Sequence, residues 1–189
     1  MVNDDKQWLL VGILSVALWS IAGCHEVMWA VNGRAGLSAY EQGRYGEAEA
    51  SYRQALGMMR SLEPQQPYIL NELALLYETQ GRYPEAEELY NRALRVREKY
   101  LGPEHPEVAT NLHNLAELYE AQGNYDKAEL LYRQSLGIRE KALGPNHLTV
   151  AYALQDYANL LRKRGSEGEA EKMEARAKAI RNTQKNLGN

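Results

Sequence analysis

The chain has 189 residues, a length that suits either one ordinary globular domain or a short array of repeats. Its 25 acidic and 22 basic residues give a formal net charge of −3, a balance that gives no sign of the clustered basic face that nucleic-acid binding requires. Composition therefore excludes nucleic acid as the expected partner, and the single cysteine excludes an internal disulfide bond.

An apolar run near the N-terminus predicts that the chain is attached to a membrane. The run covers 15 residues from Trp8 to Ala22, the length of the apolar part of a secretory signal and less than the roughly 20 residues of a membrane-spanning helix. It leads into Ile21-Ala22-Gly23-Cys24. This ending resembles the lipobox of bacterial lipoproteins, in which small residues precede a cysteine whose thiol carries diacylglycerol.

The lipoprotein resemblance implies that Cys24 is lipidated, that residues 1–23 are a signal peptide, and that the protein lies on the extracytoplasmic side of a bacterial membrane, facing the periplasm or the cell surface. The start of the chain supports an alternative, because Asp4 and Asp5 stand where such signals are normally basic. Residues 1–23 would then remain as an uncleaved membrane anchor, which suits an inner-membrane partner. His25 after the cysteine, in place of Asp, suits outer-membrane sorting.

A glycine followed two residues later by tyrosine marks an internal repeat. The phrase begins at Gly43, Gly81 and Gly123, and a decayed copy begins at Gly165. These glycines are separated by 38, 42 and 42 residues, and such periods indicate stacked supersecondary units. Each unit is predicted to contain two helices: apolar residues at i, i+3, i+4 and i+7 precede the glycine, which ends the first helix, and in the second unit Pro84 opens the next.

The apolar positions of these helices resemble the tetratricopeptide repeat, in which the first helix carries a large, a small and an aromatic residue and the second carries Ala, an aromatic and Ala. The matching positions are Leu73, Ala74, Tyr77, Ala86, Tyr90 and Ala93; Leu115, Ala116, Tyr119, Ala128, Tyr132 and Ser135; Tyr157, Ala158, Leu161, Ala170, Glu174 and Ala177; and, in a degenerate first unit, Ala35, Gly36, Ala39, Ala48, Tyr52 and Ala55. The resemblance implies an all-α fold, a tetratricopeptide solenoid of about four helix-turn-helix repeats preceded by an N-terminal hydrophobic signal or anchor helix.

The segments between units resemble the linkers of the long-period, kinesin-light-chain-type subclass. Gly102-Pro103 and Gly144-Pro145 stop the second helix of a unit, and His105 and His147 recur 42 residues apart as residues that order the turn. The small residues of the first unit predict an under-filled face close to the anchor. The predicted organisation is 1–23 signal peptide or membrane anchor, 24–64 anchor-proximal degenerate repeat 1, 65–102 repeat 2, 103–144 repeat 3, 145–181 repeat 4 with a polar cap, and 182–189 polar tail.

The family resemblance also implies a binding surface, because the first helices of tetratricopeptide repeats line a concave groove that holds a segment of a partner. The matching outward positions are Asn71, Glu72, Leu75 and Glu78, then His113, Asn114, Glu117 and Glu120, then Gln155, Asp156, Asn159 and Arg162. Four of these residues are Glu, which favours a neutral or basic partner segment. The alternative is a solvated face, with contacts through the convex side or the membrane-proximal end.

The sequence offers one candidate for chemistry, His113 and Glu117, which lie four residues apart on one helical face as a metal pair could. No third ligand has a supporting spacing, and the sequence contains no phosphate-binding loop or nucleophile elbow. We therefore expect no enzyme activity, cofactor or metal. The predicted function is a membrane-anchored scaffold that binds, assembles or stabilises a partner protein or membrane complex. The alternatives are a pilotin-like lipoprotein that acts transiently, an anchored metal-dependent enzyme, and a cytoplasmic adaptor with an uncleaved helix.

Overall fold

The computed structural model describes residues 28–59 and 64–187, and every regular element in these ranges is a helix. In chain order the helices are α1 (28–41), α2 (Tyr45–Met58), α3 (Gln66–Thr79), α4 (Tyr83–Leu101), α5 (Pro106–Ala121), α6 (Tyr125–Leu143), α7 (Leu148–Arg164) and α8 (Glu167–Leu187). None of the helices within these ranges is long and apolar enough to cross a bilayer. The predicted signal or anchor helix and Cys24 lie outside the described residues.

The glycine turns inside each unit form as the sequence predicts. At Gly81, which has a φ of 73°, the Gly81 N–H donates to the carbonyl of Glu78 (2.9 Å) and the Arg82 N–H donates to that of Tyr77 (2.8 Å). These two bonds define a Schellman motif, which satisfies carbonyls at the end of a helix and requires the left-handed conformation that glycine adopts easily. Corresponding bonds close the turns after α1, α5 and α7, so one turn design joins all four helical pairs.

The joints between units also form as predicted. Gly102 and Gly144 have φ values of 85° and 89° and follow the last residues of α4 and α6. Just before the next helix, the Nδ1 atom of His105 accepts a hydrogen bond from the Glu107 N–H at 3.2 Å. In the same way, Nδ1 of His147 accepts a hydrogen bond from the Thr149 N–H at 3.2 Å. Each histidine therefore caps the N-terminus of a helix, which confirms its predicted role in ordering the turn.

The chain divides into two compact units, residues 1–61 and residues 62–189. In the second unit each helix from α3 to α8 packs against the next in the chain. The small residues of the repeat pattern are buried beside its tyrosines: Ala86 and Ala93 are fully buried on either side of Tyr90. The last helix, α8, contributes only a thin apolar stripe, as expected of a cap, but it continues to Leu187 rather than ending near Arg181.

The first unit contains the pair α1 and α2, and here the structure corrects one expectation. Gly36 does not leave space: a β-carbon placed on it would lie 2.6 Å from Cε1 of Tyr52. The ring of Tyr52 is fully buried and Ala39 is only 3% exposed. The small residue of α1 is therefore complementary to a large residue of α2, and the face that the sequence indicated as under-filled is filled by the ring at this position.

Candidate partner-binding groove

The first helices of the last two repeats, α5 and α7, form the walls of an open pocket of about 590 Å³. We call it the α5–α7 groove; it is lined by Glu117, Glu120, Ala121, Tyr132, Asp156, Asn159, Arg162 and Lys163. The helical periodicity explains the grouping, since residues three and four apart share a helix face. Five of the predicted outward positions thus meet in one place. Tyr132 reaches the groove from α6, although the sequence pattern marked it only as a core residue.

Several predicted groove residues are engaged in bonds within the protein. On α3, Asn71 accepts a hydrogen bond from the buried Asn111 (2.8 Å). On α7, Gln155 donates to Glu174 (3.0 Å) and accepts from Arg181 (3.2 Å). These carboxamides help to join neighbouring helices, which occupies groups that a ligand would otherwise meet. By contrast, Leu75 is 41% exposed, Asn114 is half-buried, and Asn159 is exposed.

A polar pair recurs between the two helices of each hairpin in residues 62–189. The hydroxyl of Tyr90 donates to Glu78 (3.2 Å), and 42 residues later that of Tyr132 donates to Glu120 (3.0 Å). Burial raises the pKa of both tyrosines, and the adjacent carboxylates raise it further. Burial also raises the pKa of Glu78, against the opposing effect of the Tyr90 hydrogen bond. The carboxylate of Glu120 thus accepts a hydrogen bond within its hairpin and also lines the groove.

The last hairpin, α7 and α8, has an arginine and a glutamate at the two positions of this pair. Arg162 stands at the position of the glutamate, and its guanidinium binds Glu174 through two nitrogens, one of them at 2.6 Å. Arg162 also pairs with Glu167 at 3.1 Å, and the neighbouring Lys163 pairs with Glu120 at 2.7 Å. Both cations of the groove wall thus have carboxylate partners from the protein itself.

Two carboxylates of the groove have much less compensation. Glu117 of α5 and Asp156 of α7 approach the same imidazole nitrogen, Nε2 of His113, at 3.6 and 3.5 Å. No other basic side chain in the described ranges forms an ion pair with either. Burial raises the pKa of Asp156, as do Glu117 and Glu120, while His113 and Arg139 oppose the shift. The carboxylates remain accessible, because the Glu117 side chain is 52% exposed and that of Asp156 is 41% exposed.

Arg139 of α6 lies near these carboxylates, and it lacks the partners that its counterpart in the preceding repeat has. Forty-two residues earlier, Arg97 pairs with Glu107 at 3.1 Å and hydrogen-bonds Asn111. The positions corresponding to those partners hold Thr149 and Ala153. Burial lowers the pKa of the Arg139 guanidinium, and the nearby Asp156 and Glu117 oppose that shift. Sequence spacing could have identified this arginine only by comparing the repeats position by position.

The structure adds Asp156 to the predicted pair of His113 and Glu117, since its carboxylate approaches the same imidazole. Across residues 28–59 and 64–187, no three His, Cys, Asp or Glu side chains are placed to hold an ion. The ring of His113 instead packs edge-on against Tyr132, with ring centroids 5.1 Å apart.

Several solved structures have a similar fold. BtubC (BKLC) from P. vanneervenii is 21% identical, with a TM-score of 0.78 over 85% of this chain and 66% of its own. Nearly identical TPR-like repeats of a kinesin light chain-like protein from Podosopora anserina are 22% identical, with a TM-score of 0.70 over 95% of this chain and 92% of that one. MamA is 15% identical, with a TM-score of 0.63 over 98% of this chain and 99% of its own.

At these identities the neighbours show the fold alone, and they include the kinesin light chain-like subclass that the linkers resemble. A search of curated proteins found no match. Two family models, each described as Tetratricopeptide repeat, match residues 65–141 and residues 30–59. These matches, together with the helical pairs, show that residues 30–59 and 65–141 form tetratricopeptide repeats.

Proposed function

We propose that this protein is a membrane-anchored scaffold that binds a segment of a partner protein in the α5–α7 groove. The observation that carries the proposal is the pair of accessible, weakly compensated carboxylates of Glu117 and Asp156 in an open pocket. Tetratricopeptide repeats generally mediate binding to protein partners, which supports an interaction role for this surface. The partner would be a single protein or a subunit of a membrane complex.

The charges of the groove favour a neutral or basic segment. A lysine or arginine of the partner would sit between Glu117 and Asp156, where charge-assisted hydrogen bonds are strong. A segment ending in a free carboxylate would find Arg162 and Lys163 already bound to Glu174 and Glu120. It would also face the weakly compensated carboxylates of Glu117 and Asp156, and like charges brought together disfavour binding.

The test uses three labelled peptides of equal length that carry Lys, Gln or Glu at the same variable positions. Fluorescence anisotropy with the full chain in detergent should show tightest binding for the Lys peptide and weakest for the Glu peptide. Added salt should reduce the difference, because exposed charges are screened. The double variant Glu117→Gln/Asp156→Asn should lose the preference for Lys by roughly tenfold, equivalent to about 1.4 kcal/mol.

The matched control is Glu88→Gln/Glu171→Gln, which removes the same number of charges from exposed positions outside the groove. It should keep the order of the three peptides. Equal binding of all three peptides by the unaltered protein, or an equal loss in the control, would contradict the proposed site.

The proposed anchor rests on the lipobox-like sequence that ends at Cys24, which would place the repeats on the extracytoplasmic side of a bacterial membrane. Its test is the intact mass of protein extracted from its native membrane. We expect a chain that begins at Cys24 and carries acyl groups, and a Cys24→Ser variant that lacks them. A mass that begins at Met1 without acyl groups would show instead that the N-terminal segment is retained.

A further inference from the structure

The outer face of α6 differs from that of its counterpart α4 at several exposed positions, which include Leu130 and Gly137. Leu130 stands where α4 has Glu88, and Gly137 stands where α4 has Arg95. Leu130 is 57% exposed. One exposed leucine is common on protein surfaces, but here it lies seven residues from the glycine, on the same face of the helix. We define the outer α6 face by its exposed residues Asp126, Leu130, Arg133, Gln134, Gly137 and Lys141.

Gly137 is not required by packing within the chain. A β-carbon placed on it would meet no atom within 4 Å, and glycine in a helix interior is less stable than alanine. Its absent side chain instead opens one wall of a second pocket, of about 480 Å³, between α6 and α8. Leu136, Tyr157 and Met173 supply apolar surface in this pocket. The glycine thus leaves a recess in which an apolar side chain from outside would meet Leu136, Tyr157 and Met173, with charged side chains making up most of the remaining lining.

We propose that the outer α6 face binds the same face of a second copy of this chain, with the two α6 helices antiparallel. Leu130 and Gly137 are equally distant from the midpoint between Arg133 and Gln134. A twofold axis through that midpoint would therefore place Leu130 of each copy opposite Gly137 of the other. Such an interface uses one self-complementary patch twice, as twofold dimers do, and glycine allows close approach of the helices.

The two charges near the ends of the outer α6 face, Asp126 and Lys141, fit the same register. Asp126 and Lys141 are also equally distant from the midpoint, so the acid of one copy would face the base of the other. Their side chains are 88% and 65% exposed. Each has a surface partner within its own chain, Arg164 at 3.7 Å for Asp126 and Glu104 for Lys141. Exposed pairs of this kind contribute little and can exchange partners.

Two helices alone bury an area at the low end of specific interfaces, so the dimer should form reversibly as concentration rises. Sedimentation velocity of the full chain in density-matched detergent should show this rise in mass. Leu130→Glu and Gly137→Arg give α6 the residues of α4, and each should raise the dimer dissociation constant by at least tenfold. Circular dichroism would verify that both variants remain helical. A chain that stays monomeric, or dimers unaffected by these changes, would overturn the proposal.

Charge exchange tests the antiparallel register. Asp126→Lys alone and Lys141→Asp alone should each weaken the dimer, while the double variant should restore it. Cross-linking gives a second readout: in a Cys24→Ser background, Arg133→Cys lies beside the axis and should form a disulfide-linked dimer. Ala175→Cys, its exposed counterpart on α8, should not. Equal cross-linking at both positions, or no rescue in the double variant, would rule out this arrangement.

Discussion

The joint between α4 and α5 and the joint between α6 and α7 occupy the same place in the repeat but hold different polar groups. In the first joint, Arg97 pairs with Glu107 and hydrogen-bonds the fully buried Asn111. In the second joint a threonine and an alanine replace those partners, and Arg139 faces the carboxylates of the α5–α7 groove. The same backbone arrangement thus supports one joint whose arginine is paired within the joint and one whose arginine is not. The candidate site forms where a copy of the repeat has lost its internal partners.

Replacing each of the two arginines should give the largest difference in stability between the two joints. Arg97→Met should reduce the free energy of unfolding by about 2 kcal/mol, because buried Asn111 loses a hydrogen bond and the Glu107 carboxylate loses its partner. Arg139→Met should change it by no more than about 0.5 kcal/mol, because no hydrogen bond or ion pair of Arg139 is found in the described ranges. Urea denaturation of both variants measures the difference. Equal losses would show that the two joints are energetically alike.

Two helix-interior glycines should give effects of opposite sign when changed to alanine. Gly137→Ala should raise the free energy of unfolding by about 0.5–1 kcal/mol, because alanine favours the helix and space is available. Gly36→Ala should lower it by about 1–2 kcal/mol, since the added carbon would press on the ring of Tyr52. Thermal unfolding of both variants tests the signs, and a gain at Gly36 would show that α1 and α2 can separate without cost.

The sequence predicted the features that repeat and missed those that do not. The Gly-x-Tyr turns, the buried Ala-Tyr-Ala pattern and the capping role of His105 follow from local rules, since each depends on residues a few positions apart. The same rules predicted the end of α8 too early: the residues after Arg181 remain helical as far as Leu187.

The contacts of the groove could not be read from local spacing. Asp156 meets His113 across 43 positions, and Asn111 bonds Asn71 across 40. Such pairs depend on how one helical hairpin stacks on the next, and no spacing rule within a helix contains that information. Comparison of copies at the 42-residue period is the one sequence signal that could have identified Arg139, because it shows where the partners of Arg97 have been replaced.

The smallest expected difference concerns a glutamate in each of two hairpins. Glu78 and Glu120 accept the same tyrosine hydrogen bond, but only Glu120 also binds a lysine, Lys163, at 2.7 Å. The counterpart of Lys163 in the preceding repeat, at the position that would pair with Glu78, is Ala121. This difference agrees with the pKa of Glu78, which burial and the charge of Glu117 raise above its ordinary value of 4.5.

The raised pKa of Glu78 predicts the sign of a pH effect. The folded state binds the Glu78 proton more tightly than the unfolded state does. Protonated Glu78 therefore contributes fully to the free energy of unfolding below pH 4.5, and this contribution is lost as the pH rises through the pKa of the folded state. Glu78→Gln should therefore flatten the fall in stability across that window while keeping an acceptor for Tyr90. Ala121→Lys should instead lower the pKa of Glu78 and add about 0.5 kcal/mol at neutral pH. Urea denaturation at a series of pH values tests both variants, and a steeper fall in Glu78→Gln would reverse the assigned sign.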